Sequence, residues 1–486
     1  MKNLKTILLL VFVTSFLNRC SDHVDYEAIE GYQITSEIYF QQESDYDAAL
    51  VGTYDPLQWL FFNIQLGAIA SEISLCGGES ATDYIGIQQI DDMTHYPENN
   101  VLRQMWQFLY EGVNRANYME ENKANIEFDG KDAMYGEVYF LRAYYYFELV
   151  KFFGDVPLFT EARLTAGEAG TLTRAPKEDV YAQIELDLQN AIGSLPDSQS
   201  QLGRVNKYTA YALLGKVLLY QDKFNEAASA LDNVIGVYSL VSDYGSQFLR
   251  FGENGPESVF EIQYSNQSNW YDWGCAHCSE GNYAIIMNGP RGWSGPEYAQ
   301  GWSFNVPTQE FYNSFEEGDS RRDATVLDIE AFAAATGSSY TEGYDHTGYF
   351  NNKYIPRAGE SGGQTELNYL TNFRIIRYSD VLLMAAEAYN RGGIDDGLAQ
   401  EFLNQVRRRA FGDDDHDISA SGTALTDAIW EERKFELSLE GHRFFDLVRT
   451  GRASSLIPGF VEGKHEVFPI PQQEIDISGL TQNAGY

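Results

Sequence analysis

The segment 133–153 limits the possible folds more than any other part of the sequence. Its apolar side chains recur at helical spacing, but they occupy every side of the helix and not a single stripe. Such a helix must be buried on most sides, so other helices have to surround it. Gly154 ends the helix, and Pro157 prevents it from resuming. The sequence therefore predicts a mostly α-helical body built around one buried helix.

Two other regions predict pairs of antiparallel helices that pack closely. In residues 208–235, Gly215 and Ala227 hold the small-residue positions of the tetratricopeptide pattern, in which two helices approach each other closely. A looser copy of the pattern begins at Tyr378 and continues to Val406. An ordinary helical hairpin is the alternative for a single copy, but two copies favour tetratricopeptide-like pairs.

Residues 236–370 interrupt the helical pattern. Phe260, Ile262 and Tyr264 alternate as in a short strand, and the rest of the stretch is rich in Gly, Asn, Ser and Trp. A long irregular stretch inside a helical frame is usually either functional or disordered, and the many aromatic residues argue against disorder. The sequence therefore predicts an inserted, loop-rich subdomain that carries short strands.

The N-terminus has the features of an export signal. A short basic stretch precedes an apolar run over 6–17, which is too short to span a bilayer. The run ends shortly before Cys20, as in a bacterial lipoprotein signal, so we expect residues 1–19 to be removed and Cys20 to carry a lipid anchor. Arg19 stands where a small residue is usual, which leaves ordinary secretion as the alternative.

The charge balance excludes one class of partner. The chain has 71 acidic residues against 34 basic ones, a formal net charge of −37. Such a surface repels phosphate backbones, and no basic stripe offsets the repulsion. We therefore expect no binding to nucleic acid.

Three cysteines follow Cys20, namely Cys76, Cys275 and Cys278. An odd number of cysteines is not a disulfide framework for a chain of this size. Cys275 and Cys278 have CxxC spacing, but a zinc site needs a second pair of ligands that the sequence lacks. A local disulfide is therefore favoured over a metal site, with free thiols as a further alternative.

Aromatic residues in loops are the candidate binding residues. Sugar rings present apolar C–H faces and hydroxyl groups, so a sugar site needs flat aromatic rings beside polar side chains. The candidates are Trp270, Tyr271, Asp272 and Trp273 in one loop, and Arg291 and Trp293 in a second loop. Local packing of the irregular subdomain is the alternative for each of these residues.

The predicted helix over 426–450 carries acidic residues that invite a catalytic interpretation. They alternate with basic residues, as expected of a salt-bridged helix face: the acids are Glu431, Glu432, Glu436 and Glu440, and the bases are Arg433, Lys434 and Arg443. The acidic run 413–417 lacks the spacing of a calcium loop and is interpreted as a solvated turn.

Catalytic motifs are missing from the sequence. No nucleophile elbow, phosphate loop or zinc-binding helix motif is present. We therefore expect neither enzyme activity nor a cofactor, and structural calcium has no support. A glycoside hydrolase is the alternative, because it needs only two carboxylates at a suitable separation.

Six segments of the chain carry motifs that are specific in combination. They are RAYYYFELVKFFGDVPL (142–158), NVPTQEFYNSFEEGDSRR (305–322), IIRYSDVLLMAAEAYNR (375–391), LNQVRRRA (403–410), AIWEERKFELSLEGHRFFDLVRTG (428–451) and FPIPQQEI (468–475). Together these segments resemble the SusD/RagB family of outer-membrane nutrient-binding lipoproteins. The likeness covers essentially the whole chain after the signal, with the segments in the family's order.

The resemblance implies a mostly α, SusD-like fold with a defined organisation. An anchor and linker (20–44) would precede a helical body (45–235), the loop-rich ligand-binding subdomain (236–370) and C-terminal helices that complete the body (371–486). The early segment 75–100, predicted to be an exposed loop, would add Asp83 and Tyr84 to the ligand site.

The resemblance also implies a function and partners. The protein would be lipid-anchored at the outer membrane and exposed on the cell surface. It would capture an oligo- or polysaccharide and deliver it to a SusC-like TonB-dependent transporter. A peptide-binding member of the same family is the first alternative, and a surface-anchored glycoside hydrolase or a tetratricopeptide scaffold for another protein are the others.

Overall fold

The computed structural model of the chain, which describes residues 39–165, 167–267, 275, 278–362 and 367–486, is mostly helical. The helices before residue 240 are α1 (Glu43–Tyr54), α2 (Phe62–Ile69), α3 (Ile85–Asp91), α4 (Asn100–Glu121), α5 (Lys131–Phe153), α6 (Lys177–Ser194), α7 (Lys207–Leu219) and α8 (Phe224–Leu231). Those after it are α9 (Tyr283–Asn288), α10 (Gln309–Ser314), α11 (Arg321–Thr325), α12 (Ile329–Thr336), α13 (Tyr378–Arg391), α14 (Asp396–Phe411), α15 (Thr423–Leu437), α16 (Arg443–Arg449), α17 (Ala453–Leu456) and α18 (Gln472–Ser478). None of these described helices combines the length and the apolar composition needed to cross a bilayer.

The strands are short and pair two by two within the described ranges. They are β1 (Ser74–Gly77), β2 (Val156–Pro157), β3 (Arg174–Ala175), β4 (Ser258–Ile262), β5 (Arg291–Ser294), β6 (Phe304–Pro307), β7 (Val326–Asp328), β8 (Ser339–Thr341), β9 (Tyr349–Asn351) and β10 (Phe373–Arg377). The antiparallel pairs are β1 with β6, β2 with β3, β4 with β10, β5 with β8, and β7 with β9. The predicted mostly α fold with short strands is therefore confirmed.

Helix α5 is buried along most of its length, as its sequence predicts. Its tyrosines bring hydroxyl groups into the core, and these groups find carbonyl partners there. The Tyr145 hydroxyl donates to the carbonyl oxygen of Thr53, and the Tyr146 hydroxyl donates to that of Phe159, both at 2.7 Å. Gly112 of α4 makes room for the Tyr145 ring, because a Cβ atom there would lie 2.5 Å from the ring.

The predicted helical pairs pack as closely as their small residues allow. Helices α7 and α8 meet at Gly215, where an added Cβ atom would lie 2.5 Å from the side chain of Leu231. Helices α13 and α14 form the second pair, and the rings of Tyr389 and Phe402 meet edge to face between them with centroids 5.7 Å apart. A larger side chain at position 215 would push the first pair apart.

The predicted single helix over 426–450 is wrong, because the chain turns between α15 and α16. Leu439 and Gly441 both have positive φ, 62° and 88°. Gly441 lies against the backbone of α2, where a Cβ atom on Gly67 would be 2.0 Å from the Gly441 carbonyl oxygen. This contact needs a chain that has left the helix, and two glycines permit it.

The acidic side chains of α15 are paired as predicted, but the pairs are buried and do not form an exposed face. Arg321 Nη1 donates to Glu432 at 2.6 Å, and Arg377 Nη1 donates to Glu436 at 2.8 Å. Glu431, in contrast, is half exposed and pairs with Lys434. We call the buried set the core charge network; its members are Glu257, Arg321, Lys353, Arg377, Arg409, Glu432, Glu436 and Glu440.

The segment 75–100 contains regular structure that the loop prediction missed. It includes most of β1 and all of α3. Ile87 and Ile90 of α3 are fully buried, and Gln88 Nε2 donates to the Gly77 carbonyl oxygen at 2.6 Å. Helix α3 therefore packs onto the end of β1, and residues 78–84 form the loop between them.

Candidate functional site at converging strand ends

Four strand ends, those of β1, β5, β6 and β8, meet at one place. In the β1–β6 pair Gly77 lies opposite Phe304, and in the β5–β8 pair Arg291 lies opposite Thr341. Ser303 joins the two pairs, because its carbonyl oxygen accepts from the Gly78 N–H at 2.8 Å and its Oγ accepts from the Arg291 N–H at 3.1 Å. We call the surface at this junction the loop face; it comprises Glu79, Asp83, Arg291, Trp302 and Tyr344.

Gly77 and Gly78 allow the early loop to reach the junction. Both have positive φ, 72° and 101°, which favours glycine. A Cβ atom on Gly77 would lie 2.2 Å from the Ser303 carbonyl oxygen, and one on Gly78 would lie 2.7 Å from the Phe304 ring. No larger residue fits at either position, so these two glycines hold the early loop against β6.

Backbone strain is concentrated around the loop face. Tyr84, Ser303, Asn305 and Asp345 all have positive φ, between 50° and 62°. The buried Asn305 is held there by the Ser74 hydroxyl, which donates to its Oδ1 at 2.8 Å. Strained residues persist where the surrounding structure fixes them, and they cluster at ligand-binding and active sites.

Asp83 and Arg291, both predicted binding residues, lie together on this face. Arg291 Nη2 donates to Glu79 Oε2 at 3.0 Å and to Asp83 Oδ2 at 3.3 Å. The Glu79 N–H donates to the same oxygen of Asp83 at 2.8 Å, which shapes the loop. The Arg291 side chain is 22% exposed and that of Asp83 is 30% exposed, so solvent reaches both members of the pair.

Tyr84 lies beneath this surface as a packing residue. Its ring meets those of Phe62 and Phe304 edge to face, with centroids 5.6 and 6.2 Å away. Burial, and then the nearby Tyr283, raises the pKa of its hydroxyl well above the usual range. Tyr84 therefore anchors the early loop to the core more than it offers a ring to a ligand.

Trp293 does not form the exposed platform that its Gly-rich surroundings predict. Its side chain is only 9% exposed. The ring packs against Tyr298 and Phe332, with centroids 6.0 and 5.9 Å away, in a small apolar cluster beneath β5 and α12. In β5, Trp293 is buried while Gly292 and Ser294 on either side of it are exposed, as strand alternation requires. Arg291 alternates with Trp293 in the same sense, but its position at the strand end leaves it partly exposed.

Tyr344 is an exposed aromatic residue of the loop face that sequence reasoning missed. It is 37% exposed, and its N–H donates to the Gly78 carbonyl oxygen at 2.8 Å. Its loop follows β8, the partner of the strand that carries Arg291. The available signal was the Tyr344-Asp345 pair after Gly343, which repeats the aromatic and acidic composition of the Tyr271-Asp272 pair.

Trp302, the second aromatic residue of the loop face, contacts an aromatic residue of α9. The half-buried ring of Trp302 meets that of Tyr283 edge to face, with centroids 5.5 Å apart. The predicted binding residues Trp270, Tyr271, Asp272 and Trp273 lie outside the described residues, as does Cys20. On the described flanks of that segment, the Ser265 N–H donates to the Glu280 carbonyl oxygen at 2.8 Å, three residues before Tyr283.

The structure shows the state of the cysteines and the contacts of the acidic run 413–417. Cys275 and Cys278 form a disulfide, the favoured alternative for this pair. Cys76 is a buried free thiol. In the acidic run, Asp413 contacts His416 and Asp417 pairs with Arg408. Within the described ranges, no group of three or more His, Cys, Asp or Glu side chains is arranged to hold a metal ion.

Comparison with known proteins identifies related families for both halves of the chain. Residues 256–457 match the family model described as the SusD family, and residues 74–219 match a model described as "Starch-binding associating with outer membrane". The SusD-like protein P2 of Formosa agariphila is 28% identical over 494 aligned residues, which cover 93% of this chain and 94% of that protein.

Solved structures share the fold over nearly the whole chain. A laminarin-binding SusD-like protein is 36% identical, with a TM-score of 0.84, covering 92% of this chain and 100% of that one. Surface glycan-binding protein A from Bacteroides thetaiotaomicron, solved in complex with laminarihexaose, is 30% identical with a TM-score of 0.81, covering 91% and 99% of the two chains.

Proposed function

The chain belongs to the SusD/RagB family, and from this premise we propose that it captures a glycan at the loop face and holds it by contact alone. The observation that carries the proposal is the exposed Tyr344 in a loop whose backbone bonds to Gly78, in the same early loop that carries the Asp83 partner of Arg291. A flat ring and adjacent charged side chains are the two kinds of surface that a sugar requires.

The energetics of such a site require several contacts. One sugar face covers roughly 50 Å² of apolar surface, which gains about 1 kcal/mol at the usual area coefficient. Asp83 and Arg291 would pair with the sugar hydroxyls, and Tyr344 and Trp302 would stack on sugar rings. We include Trp270, Tyr271, Asp272 and Trp273 in the proposed site, because their composition matches the same chemistry.

Laminarin is the first ligand to test. Two solved relatives that share the fold over more than nine-tenths of this chain are a laminarin-binding protein and a complex with laminarihexaose. The identities of 36% and 30% support glycan binding as a class and make this polysaccharide the natural starting point for a panel.

We also propose that the protein works at the outer membrane, anchored through Cys20, and passes its ligand to a SusC-like TonB-dependent transporter. The lipoprotein-like signal and the family membership support this part of the proposal. Anchoring raises the local ligand concentration at a transporter, so weak contacts become effective. Mass spectrometry of Cys20 in membrane fractions tests the lipid anchor. Co-purification with a transporter from the native membrane tests the partnership.

Affinity electrophoresis of the purified mature protein in gels with and without laminarin tests glycan capture. We expect retarded migration of the wild type and no new reducing ends after prolonged incubation. Trp270→Ala/Tyr271→Ala/Trp273→Ala should abolish retardation with an unchanged helical circular dichroism spectrum. Phe251→Ala is the matched control, because Phe251 is 79% exposed but lies outside the loop face.

The other outcomes separate the alternatives. Release of reducing ends would establish a hydrolase, and binding of peptides without any glycan from the panel would favour the peptide-binding alternative. Equal affinity of the triple variant and the wild type would contradict the inclusion of the 270–273 segment in the site.

A further inference from the structure

Carboxylates crowd the end of β1 beneath and beside the loop face. Burial, and then the negative charges of Asp91, Asp83, Asp345 and Asp92, raises the pKa of the Cys76 thiol well above its usual range. Four acidic side chains therefore approach one residue of the strand, and Glu79 adds a fifth carboxylate three residues further along. Glu79, Asp92 and Asp345 are exposed to solvent.

Little positive charge offsets these acids. In the part of the chain that the structure describes, Arg291 is the cation that forms ion pairs with this group, and it is shared between Glu79 and Asp83. Asp91, Asp92 and Asp345 have no ion-pair partner among the described residues; Asp91 accepts only from the Cys76 N–H there, at 2.7 Å. The loop face is therefore surrounded by net negative charge.

The rest of the molecule does not cancel this local field. The chain carries a formal net charge of −37, so the long-range potential has the same sign as the local one. A ligand that carries sulfate or carboxylate groups would meet repulsion during approach and again when bound. An uncharged glycan would meet neither, and its hydroxyls would donate to the loop-face carboxylates of Glu79 and Asp83.

We infer that the loop face selects uncharged glycans and rejects polyanionic glycans of the same backbone and length. This inference rests on the proposed function, because it names the chemical class of ligand that the capture site accepts. The laminarihexaose bound in the solved relative is itself an uncharged oligosaccharide. Asp92 and Asp345 act here as rim charges, since they lie beside Tyr344 and do not pair with Arg291.

A matched pair of ligands tests the inference. Laminarin and a sulfated derivative of the same preparation differ in charge and share the backbone. By isothermal titration calorimetry in 10 mM salt, we expect the sulfated form to bind at least about tenfold more weakly. In 150 mM salt the difference should shrink to a few-fold, because the screening length falls from about 30 to about 8 Å.

Neutralising the rim should reduce the discrimination. Asp92→Asn/Asp345→Asn removes two exposed charges, and asparagine tolerates the left-handed backbone at position 345. We expect this variant to bind laminarin as the wild type does. The logarithm of its affinity ratio between laminarin and the sulfated form should be about half that of the wild type. Asp427→Asn, which removes an exposed acid of α15, is the control that should recover none.

The outcomes distinguish the two proposals. If laminarin binds and the sulfated form binds equally well or better, glycan capture stands and the inference is overturned. If discrimination is present but the double variant does not reduce it, these rim carboxylates are not its cause, which also overturns the inference. If no uncharged glycan in the panel binds, the proposed function fails and the inference fails with it.

Discussion

Two arginines show that the same ion-pair chemistry has different roles in the core charge network and on the loop face. Arg377, at the end of β10, is 2% exposed and pairs with Glu257, Glu436 and Glu440 at 2.7–2.8 Å. Arg291, on the loop face, is 22% exposed and pairs with Glu79 and Asp83 at 3.0 and 3.3 Å. The buried ion pairs of Arg377 fix the fold, whereas the partly exposed pairs of Arg291 remain accessible to solvent.

The difference lies in the cost of losing a partner. Burial alone would raise the pKa of Glu436, but the guanidinium groups of Arg409, Arg377 and Arg321 hold it well below its usual range. Each charge in the core charge network thus depends on its neighbours, since an unpaired buried charge is strongly destabilising. On the loop face water can replace a lost partner, so the same groups are free to exchange one partner for a ligand.

The largest predicted effect comes from removing the buried cation Arg377. Arg377→Met leaves three buried carboxylates without their shared cation and should lower the free energy of unfolding by about 3–5 kcal/mol. Urea unfolding followed by circular dichroism measures the loss. Arg291→Gln, the exposed counterpart, should change the same quantity by less than about 1 kcal/mol, and similar losses in both variants would remove the distinction.

Acid should weaken the helical body further. Burial, and then the positive charge of Lys216, lowers the pKa of His442 to about 3. Because this value lies below the ordinary value of 6.5, the unfolded chain takes up the proton first, and stability falls as the pH drops below 6.5. The expected loss is on the order of 2 kcal/mol by pH 5 from this residue.

A second group extends the acid sensitivity to lower pH. Burial alone would raise the pKa of Glu387, but Arg449 holds it at about 2, so the stability it contributes is lost as the pH falls below 4.5. Urea titrations between pH 8 and about 2.5 test both statements. His442→Asn should flatten the profile between pH 6.5 and 5, and an unchanged slope in that variant would contradict the assignment to His442.

The smallest predicted effect concerns the contribution of the exposed Tyr344 to laminarin binding. Tyr344→Ala should weaken laminarin binding about five- to tenfold, the equivalent of about 1 kcal/mol of stacking, with no change in the unfolding midpoint. Tyr344→Phe should retain most of the affinity, because the ring face and not the hydroxyl provides the contact. Calorimetry with both variants checks this, and equal losses in the two would indicate that the hydroxyl group carries the interaction.

Local sequence patterns predicted the helices well, and long-range contacts explain most of the failures. The apolar pattern of α5 and the small residue Gly215 each determine packing within a short stretch, so periodicity was sufficient. The break at Gly441 depends on the backbone of Gly67, more than 300 residues away in sequence, and no local signal announces it.

The candidate site could be predicted only in part for the same reason. Asp83 and Arg291 were predicted, but their contact depends on β1 reaching β6 across more than 200 residues. The sequence around Trp293 predicts an exposed ring, because a Gly-rich loop and the end of a short strand have similar compositions. The role of Tyr344 is not visible in the sequence, since the position of its loop depends on the hydrogen bond to Gly78.

Hydrogen–deuterium exchange with and without laminarin tests the central claim most directly. If the loop face holds the ligand while the body stays rigid, exchange should slow in residues 77–84, 289–292 and 342–346 and remain unchanged in α13 and α15. Slowed exchange confined to the helical pair α7–α8, with the loop face unaffected, would contradict the account.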